Sequence, residues 1–130
     1  MFEVNHPATT LLFILIPLAV TFVGQRLFLH LINPDADLYI LGHNVHHLFV
    51  GAAMAIPAAF VLAFQPETAL LRLGALAALG SGSSMVLDEL IYLIATDGTN
   101  ASYLKPISLC SAIIMQSLAA ALLLLIYALS

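Results

Sequence analysis

The stretch TALLRLGALAALGSGSSMVLDELIYLIA, residues 68–95, decides the fold class of this chain. It is longer than the roughly 20 apolar residues that a helix needs to cross about 30 Å of hydrocarbon. It lacks the alternation of apolar and polar residues that membrane-spanning β-strands show. A helix is therefore predicted, because a spanning segment must satisfy its own backbone polar groups. Near its end, however, the stretch carries two adjacent acids, Asp88 and Glu89.

The composition of the whole chain predicts that its solvent is lipid. Of its 130 residues, 62% are hydrophobic and only 8% are charged, against roughly 25% charged residues in soluble domains. A soluble domain of this size has too little interior for so much apolar surface. A net charge of −4 with three basic residues argues against nucleic-acid partners, which need Lys and Arg. The single cysteine, Cys110, excludes an intrachain disulfide and is expected to be a packing residue.

Four apolar segments divide the chain, and each is long enough to span a bilayer. Polar turns separate them, and short turns place consecutive helices antiparallel. The sequence thus predicts an all-α fold, an integral membrane four-helix up-down bundle made of one transmembrane domain over residues 1–130. We expect a multi-pass protein of a prokaryotic cell membrane, with helices over about 8–31, 40–64, 68–95 and 103–129.

Small residues indicate where the helices pack closely. Gly51 and Ala55 lie four residues apart on the second helix, and Gly74, Ala78 and Gly82 form a stripe on the third. Small side chains let helix backbones approach each other in membranes. We therefore expect close helix packing at these positions.

The polar residues of different helices are predicted to lie at one depth. His46 and Asp88 each lie about six residues from the middle of their helix, or about 9 Å from the midplane at 1.5 Å per residue. Alternating helix directions displace both toward the same membrane face. An unpaired carboxylate at this depth costs several kcal/mol, so such residues turn inward and find partners or mark a functional site.

The histidines of LGHNVHHLFVG, residues 41–51, are the partners that the sequence offers to these acids. His43, His46 and His47 have the spacing i, i+3 and i+4, which would bring their side chains to one face of a continuous helix. Imidazoles together with carboxylates suit a transition metal ion such as Fe or Zn. A polar knot that only hydrogen-bonds the helices together is the alternative.

The predicted site has three groups of residues. Asp88 and Glu89 would be metal ligands or a general base. Around them, Tyr92, Ser84 and Arg26 would support the ligands. The predicted metal ligands are His43, His46, His47, Asp88 and Glu89, with His30 as a further nitrogen ligand.

Arg26 allows more than one interpretation. A long basic side chain near a helix end commonly extends to the membrane interface, and this is the behaviour that we expect. The alternatives are a pair with Asp88 or Glu89 and contact with an anionic headgroup.

Two resemblances bear on this site. The segment HNVHH is similar to the H-x-x-H-H histidine box of membrane fatty-acid desaturases and hydroxylases, which hold two irons that activate dioxygen beside a lipid chain. That resemblance implies that His43, His46 and His47 ligate metal, with Asp88 and Glu89 replacing ligands that five histidines cannot supply. The chain also resembles small bacterial membrane proteins that pair a segment like HHLFVG with a later segment like LDE, and this likeness implies no activity.

The sequence therefore supports several functions. The leading hypothesis is a metal-dependent enzyme that acts on a lipidic or small apolar substrate. The alternatives are an accessory or structural subunit of a larger membrane complex, an ion or metal transporter, and a haem protein with His30 and a histidine of the second helix as axial ligands. Other membrane subunits or further copies of the chain are possible partners.

Overall fold

The computed structural model describes residues 6–33, 39–40 and 42–130. For residues 39, 40, 43, 44 and 100 it describes the backbone alone. The predicted turn at residues 33–37 falls mostly outside the described residues.

Helices make up almost all of the described chain, as predicted. The elements are α1 (Pro7–Leu27), a π-helical turn (Phe28–Ile32), β1 (Tyr39–Ile40), β2 (His43–Asn44), α2 (His47–Ala63), α3 (Ala69–Ala95), α4 (Asn100–Tyr103) and α5 (Pro106–Leu129). The two strands form a short antiparallel ladder in which Ile40 lies opposite His43.

Three of these helices are long and apolar enough to cross a membrane: Pro7–Ile32, Ala69–Ala95 and Pro106–Leu129. Their boundaries follow from local chemistry. Proline begins both α1 and α5, where its missing N–H costs nothing. The His6 ring accepts a hydrogen bond from the Ala8 amide and so caps α1. Beyond the end of α3, Gly98 adopts a φ of 73°, which a side chain would disfavour.

The second helix starts later than the sequence predicted. It was expected from about residue 40, but α2 begins at His47 because His46 is extended, with φ −61° and ψ 143°. Upstream, Gly42 has a φ of 83° and turns the chain between the two strands. The three histidines therefore do not share one helical face: His43 is in a strand, His46 precedes the helix and His47 is its first residue.

The helix α3 is the centre of the fold. It packs against α1, α2 and α5, and α1 also packs against α5. Among the described long helices, α2 packs closely on α3 alone. The helices therefore do not form a square bundle in which every consecutive pair packs equally.

Glycines bring α2 and α3 into close contact, as the small-residue pattern predicted. A Cβ on Gly51 would lie 2.5 Å from the Gly82 carbonyl oxygen and 2.6 Å from the Met85 Cβ. A Cβ on Gly80 would collide with the Ile14 carbonyl oxygen of α1. Gly74, by contrast, has open space around it, so only part of the predicted stripe is used.

The two ends of the fold differ in polarity. At one end, which we call the histidine end, α1 and α3 finish and α2 and α5 begin, as the side-chain contacts described below establish. At the opposite end, which we call the Arg72 end, α1 and α3 begin and α5 finishes. Large apolar side chains of the long helices face outward along the length between the two ends.

Candidate functional site

Four side chains from α2 and α3 meet at the histidine end: His46, His47, Asp88 and Glu89. We call them the histidine–carboxylate cluster. His46 and His47 come from the start of α2, and the two acids come from the last two turns of α3. The structure therefore brings together four of the residues that the sequence singled out, at the shared depth that helix geometry predicted.

Asp88 is held first by Arg26 of α1. The Arg26 Nε donates to Asp88 Oδ1 at 2.8 Å, and Arg26 Nη2 lies 2.7 Å from the same oxygen. The side chains are only 7% and 0% exposed. In such a site the attraction between opposite charges is weakly screened, and the cost of desolvating them is high.

Arg26 uses its remaining donors on the start of α5 and the short helix before it. Its Nη1 donates to the Tyr103 carbonyl oxygen at 3.2 Å, and its Nη2 donates to the Ser108 hydroxyl at 3.1 Å. The guanidinium carbon also lies 4.0 Å from the centre of the Tyr103 ring, a cation–π arrangement. The expectation that Arg26 extends to the interface is therefore wrong, because Asp88 and the α5 start supply better partners inside the protein.

The second oxygen of Asp88 accepts hydrogen bonds from two rings. The Tyr103 hydroxyl donates to Asp88 Oδ2, and His47 Nε2 lies 3.2 Å from that oxygen. Both carboxylate oxygens are thus fully engaged, as a buried charge requires.

Glu89 connects the cluster to the first turn of α2. Its Oε2 accepts a hydrogen bond from the Leu48 amide at 2.8 Å. The first amides of a helix have no partner within the helix, and His46 makes no side-chain cap. A carboxylate from α3 therefore does the work of an N-terminal cap, and its negative charge suits the positive end of the helix dipole.

The other oxygen of Glu89 faces both histidines. Its Oε1 lies 3.4 Å from His46 Nδ1 and 3.3 Å from His47 Nδ1. The His47 ring thus has Asp88 at one nitrogen and Glu89 at the other. The side chains of His46 and His47 are 26% and 25% exposed, so the acids of the cluster are buried and its histidines are partly exposed.

Of the other predicted site residues, Tyr92 borders the cluster, with its ring centre 6.4 Å from that of His46, whereas His30 and Ser84 bond elsewhere. The His30 Nδ1 is 2.8 Å from the Arg26 carbonyl oxygen of its own helix. Ser84 accepts a hydrogen bond from the Gln116 amide at 3.1 Å. Tyr92 donates to the Thr99 carbonyl oxygen at 2.9 Å, and its ring meets Tyr103 edge-on at 5.3 Å. The side chain of His43 lies outside the described part of the molecule.

Metal ligation was the sharpest expectation from the sequence. Within the described residues, no group of three His, Cys, Asp or Glu side chains is arranged to hold a metal ion. Cys110 is exposed on α5.

The sequence reasoning missed the role of Tyr103. Tyr103 lies only a few residues before the start of α5. Counting residues from that end of α5 would have placed Tyr103 at the level of Asp88. What the sequence did not reveal is that the short helix α4 folds the Tyr103 ring between Arg26, Asp88 and His47.

The loop that leads into α4 carries a perturbed acid of its own. Hydrogen bonds from Ser102 and Thr99 lower the pKa of Asp97 from 3.8 to about 2. The Thr99 hydroxyl lies 2.9 Å from Asp97 Oδ1. Asp97 is fully exposed, so water screens this effect.

The chain matches no family model, no curated protein and no solved structure. The function is therefore inferred from the geometry of the cluster.

Proposed function

We propose that the chain is a four-span protein of a prokaryotic cell membrane whose histidine–carboxylate cluster binds and releases a proton at one membrane face. The four-span, up-down arrangement is supported by the meeting of α1, α2, α3 and α5 ends at the cluster. Four alternating passes would put residues 33–46 and 96–105 on one side of the bilayer.

We assign a proton to the histidine pair because of the charge balance of the buried groups. Asp88 and Glu89 contribute two negative charges, and Arg26 contributes one positive charge. The remaining negative charge would be expensive to bury. One proton on the histidine pair makes the set neutral.

His47 is the ring best placed to hold that proton. It has a carboxylate oxygen 3.2 Å from Nε2 and another 3.3 Å from Nδ1. An imidazole donates from both nitrogens only when it is protonated. His46, beside the same Glu89 oxygen, is placed to exchange the proton with water through its exposed edge.

The groups that face this proton come from every helix packed at the cluster. Asp88 and Glu89 of α3 are the acids at the cluster, and Arg26 of α1 is the guanidinium there. Tyr103 of α4 contributes a donor whose ring lies 5.5 Å from the His47 ring.

The proposal is tested by ¹⁵N NMR of histidine-labelled protein in detergent across a pH series. We expect one imidazole of the His46–His47 pair to be protonated over part of the range. In Glu89→Gln the protonated fraction at a fixed pH falls, because one negative charge is gone. The matched control is Glu67→Gln, which removes an exposed acid from the other end and leaves the fraction unchanged.

Two results would overturn this assignment. Both rings staying neutral throughout the pH range would remove the exchangeable proton. The second result is stoichiometric Fe or Zn in the wild type and its loss in His46→Ala, as measured by elemental analysis. It would show that the cluster binds the predicted metal, and it would support the hypothesis of a metal-dependent enzyme.

A structural role is the second candidate, favoured by the saturation of both Asp88 oxygens. An accessory subunit would use this network only to fix helix positions. In that case His46→Gln, which touches only the open side of the cluster, leaves both assembly with other subunits and proton uptake unchanged.

A further inference from the structure

Arg72 is the only Lys or Arg at the Arg72 end of the described chain, and its surroundings are unlike those of Arg26. It is the fourth residue of α3 and lies between two clefts. One, of about 750 Å³, adjoins the turn between α2 and α3. The other, of about 310 Å³, lies between the start of α1 and the end of α5. Thr10 and Ile14 of α1 line both clefts.

The guanidinium of Arg72 lacks partners within the described residues. Its Nε is buried and makes no hydrogen bond, and the described ion pairs include none to Arg72. A buried donor without a partner costs roughly 1–3 kcal/mol, and more when the group is charged.

The start of α3 adds to the positive potential around Arg72. Thr68 precedes the helix but makes no side-chain cap. The first amides of α3 therefore keep their hydrogen-bonding capacity, and the helix dipole is positive at this end. Arg72 and the helix start favour the same sign of ligand.

The smaller cleft suits an anion better than the larger one does. The larger cleft includes the carboxylate of Glu67, which would repel an anion. The described lining of the smaller cleft includes no Asp or Glu side chain and offers the hydroxyls of Thr10, Tyr127 and Ser130 beside Arg72. Its other walls include Leu11 and Leu123, and its volume is at the lower end of the roughly 300–1,000 Å³ of small-molecule sites.

We propose that Arg72 and the cleft between α1 and α5 bind a phosphate group of the kind that a phospholipid headgroup carries. Arginine recognises phosphate through several N–H donors at once, and Thr10 and Tyr127 would donate to the remaining oxygens. The apolar walls would accept the first part of an acyl chain. Free phosphate shares the headgroup chemistry, so the experiment separates the two sources.

Binding is measured on the full chain in a nonionic detergent by native mass spectrometry and by the shift in thermal unfolding. The chain has no tryptophan, so circular dichroism follows unfolding. The probes are phosphatidylglycerol, phosphatidylcholine, diacylglycerol and inorganic phosphate. The variants are Arg72→Gln and Arg72→Lys, and the matched control is Lys105→Gln at the opposite end.

We expect both phospholipids to bind and to stabilise the wild type, and diacylglycerol, which lacks phosphate, to do neither. Arg72→Gln should bind about tenfold more weakly, the loss of one charge-assisted contact. Arg72→Lys should retain part of the affinity, and Lys105→Gln all of it. Stabilisation by inorganic phosphate as well would identify the phosphate group alone as the ligand. Equal binding of diacylglycerol and phospholipid, or undiminished binding by Arg72→Gln, would overturn the proposal.

Discussion

Arg26 and Arg72 lie at opposite ends of the same fold and have opposite surroundings. Arg26, on α1, contacts Asp88, the Tyr103 ring, two backbone carbonyls and the Ser108 hydroxyl. Arg72 keeps a buried Nε without a partner in the described chain. Along α3, Arg72 and Asp88 are 16 residues apart, or about 24 Å.

The difference shows that one residue type serves two purposes in this protein. The Arg26 charge is used within the fold, where it neutralises an acid and joins α1 to α3 and α5. The Arg72 charge is left available, as expected of a group that meets its partner from outside. Composition alone does not distinguish Arg26 from Arg72.

The largest expected effect comes from removing each arginine in turn. Arg26→Met leaves Asp88 charged and buried, and the loss of one partner of a buried pair costs about 3–5 kcal/mol. Arg72→Met, measured in detergent without phospholipid, should not lower the free energy of unfolding, because it removes a buried donor that has no partner in the described chain. The measurement is equilibrium unfolding followed by circular dichroism.

A double variant sharpens this contrast. Asp88→Asn added to Arg26→Met removes the unpaired charge and should recover part of the stability. Equal losses for the two single arginine variants would contradict the contrast between the ends.

The next effect concerns how closely the helices pack toward each end. Gly51→Ala places a methyl group against the Gly82 carbonyl oxygen and Met85, and such overpacking costs about 1–3 kcal/mol. Gly74→Ala, two residues from Arg72, enters open space and should stabilise α3 by up to about 1 kcal/mol. Thermal unfolding of the two variants compares them directly, and a stabilised Gly51→Ala protein would mean that α2 and α3 are less close than described.

A smaller effect is expected from Glu89. Glu89→Ala removes the acceptor of the Leu48 amide, and loss of a helix cap costs about 1 kcal/mol. Glu89→Gln keeps an acceptor and should lose less. Hydrogen exchange at Leu48 reports the cap itself, and Glu67→Ala, at the other end, is the control. Unchanged exchange in Glu89→Ala would show that the start of α2 does not depend on α3.

The smallest effect lies in the exposed loop at the histidine end. Because the pKa of Asp97 is lowered to about 2 in the folded chain, its ionised form favours the folded state. That contribution is present above about pH 4 and is lost as the pH falls toward 2. The stability difference between wild type and Asp97→Asn should therefore shrink over this interval in acid unfolding curves. A difference that grows on acidification would reverse the sign.

Much of the fold follows from the sequence because length and hydropathy are strong constraints in lipid. Residues 68–95 predicted α3 to within one residue of its observed start. Counting residues from helix middles also placed His46 near Asp88. Both inferences use only the 1.5 Å rise of a helix and the thickness of a membrane.

The start of α2 could not be predicted because it is set by a contact between distant residues. His46 is extended and His47 begins the helix, and the cap comes from Glu89, 41 residues beyond Leu48. No local pattern contains that information. The histidine spacing i, i+3, i+4 therefore suggested a single helical face that the chain does not form.

Arg26 escaped prediction for a related reason. A basic residue near a helix end has the same sequence signature whether it reaches for water or for a buried acid. Only the packing of α1 against α3 decides between these outcomes, and that packing depends on Gly80 admitting the Ile14 backbone.

The late start of α2 has a consequence for the surrounding lipid. With 17 residues, α2 is about 25 Å long, whereas the hydrocarbon of a typical bilayer is about 30 Å thick. If α2 is the fourth span that we propose, the membrane beside it thins, or the start of the helix is drawn below the headgroups. In that arrangement bilayer thickness would control how much water reaches His46 and His47, and acyl-chain length in reconstituted vesicles would tune the cluster.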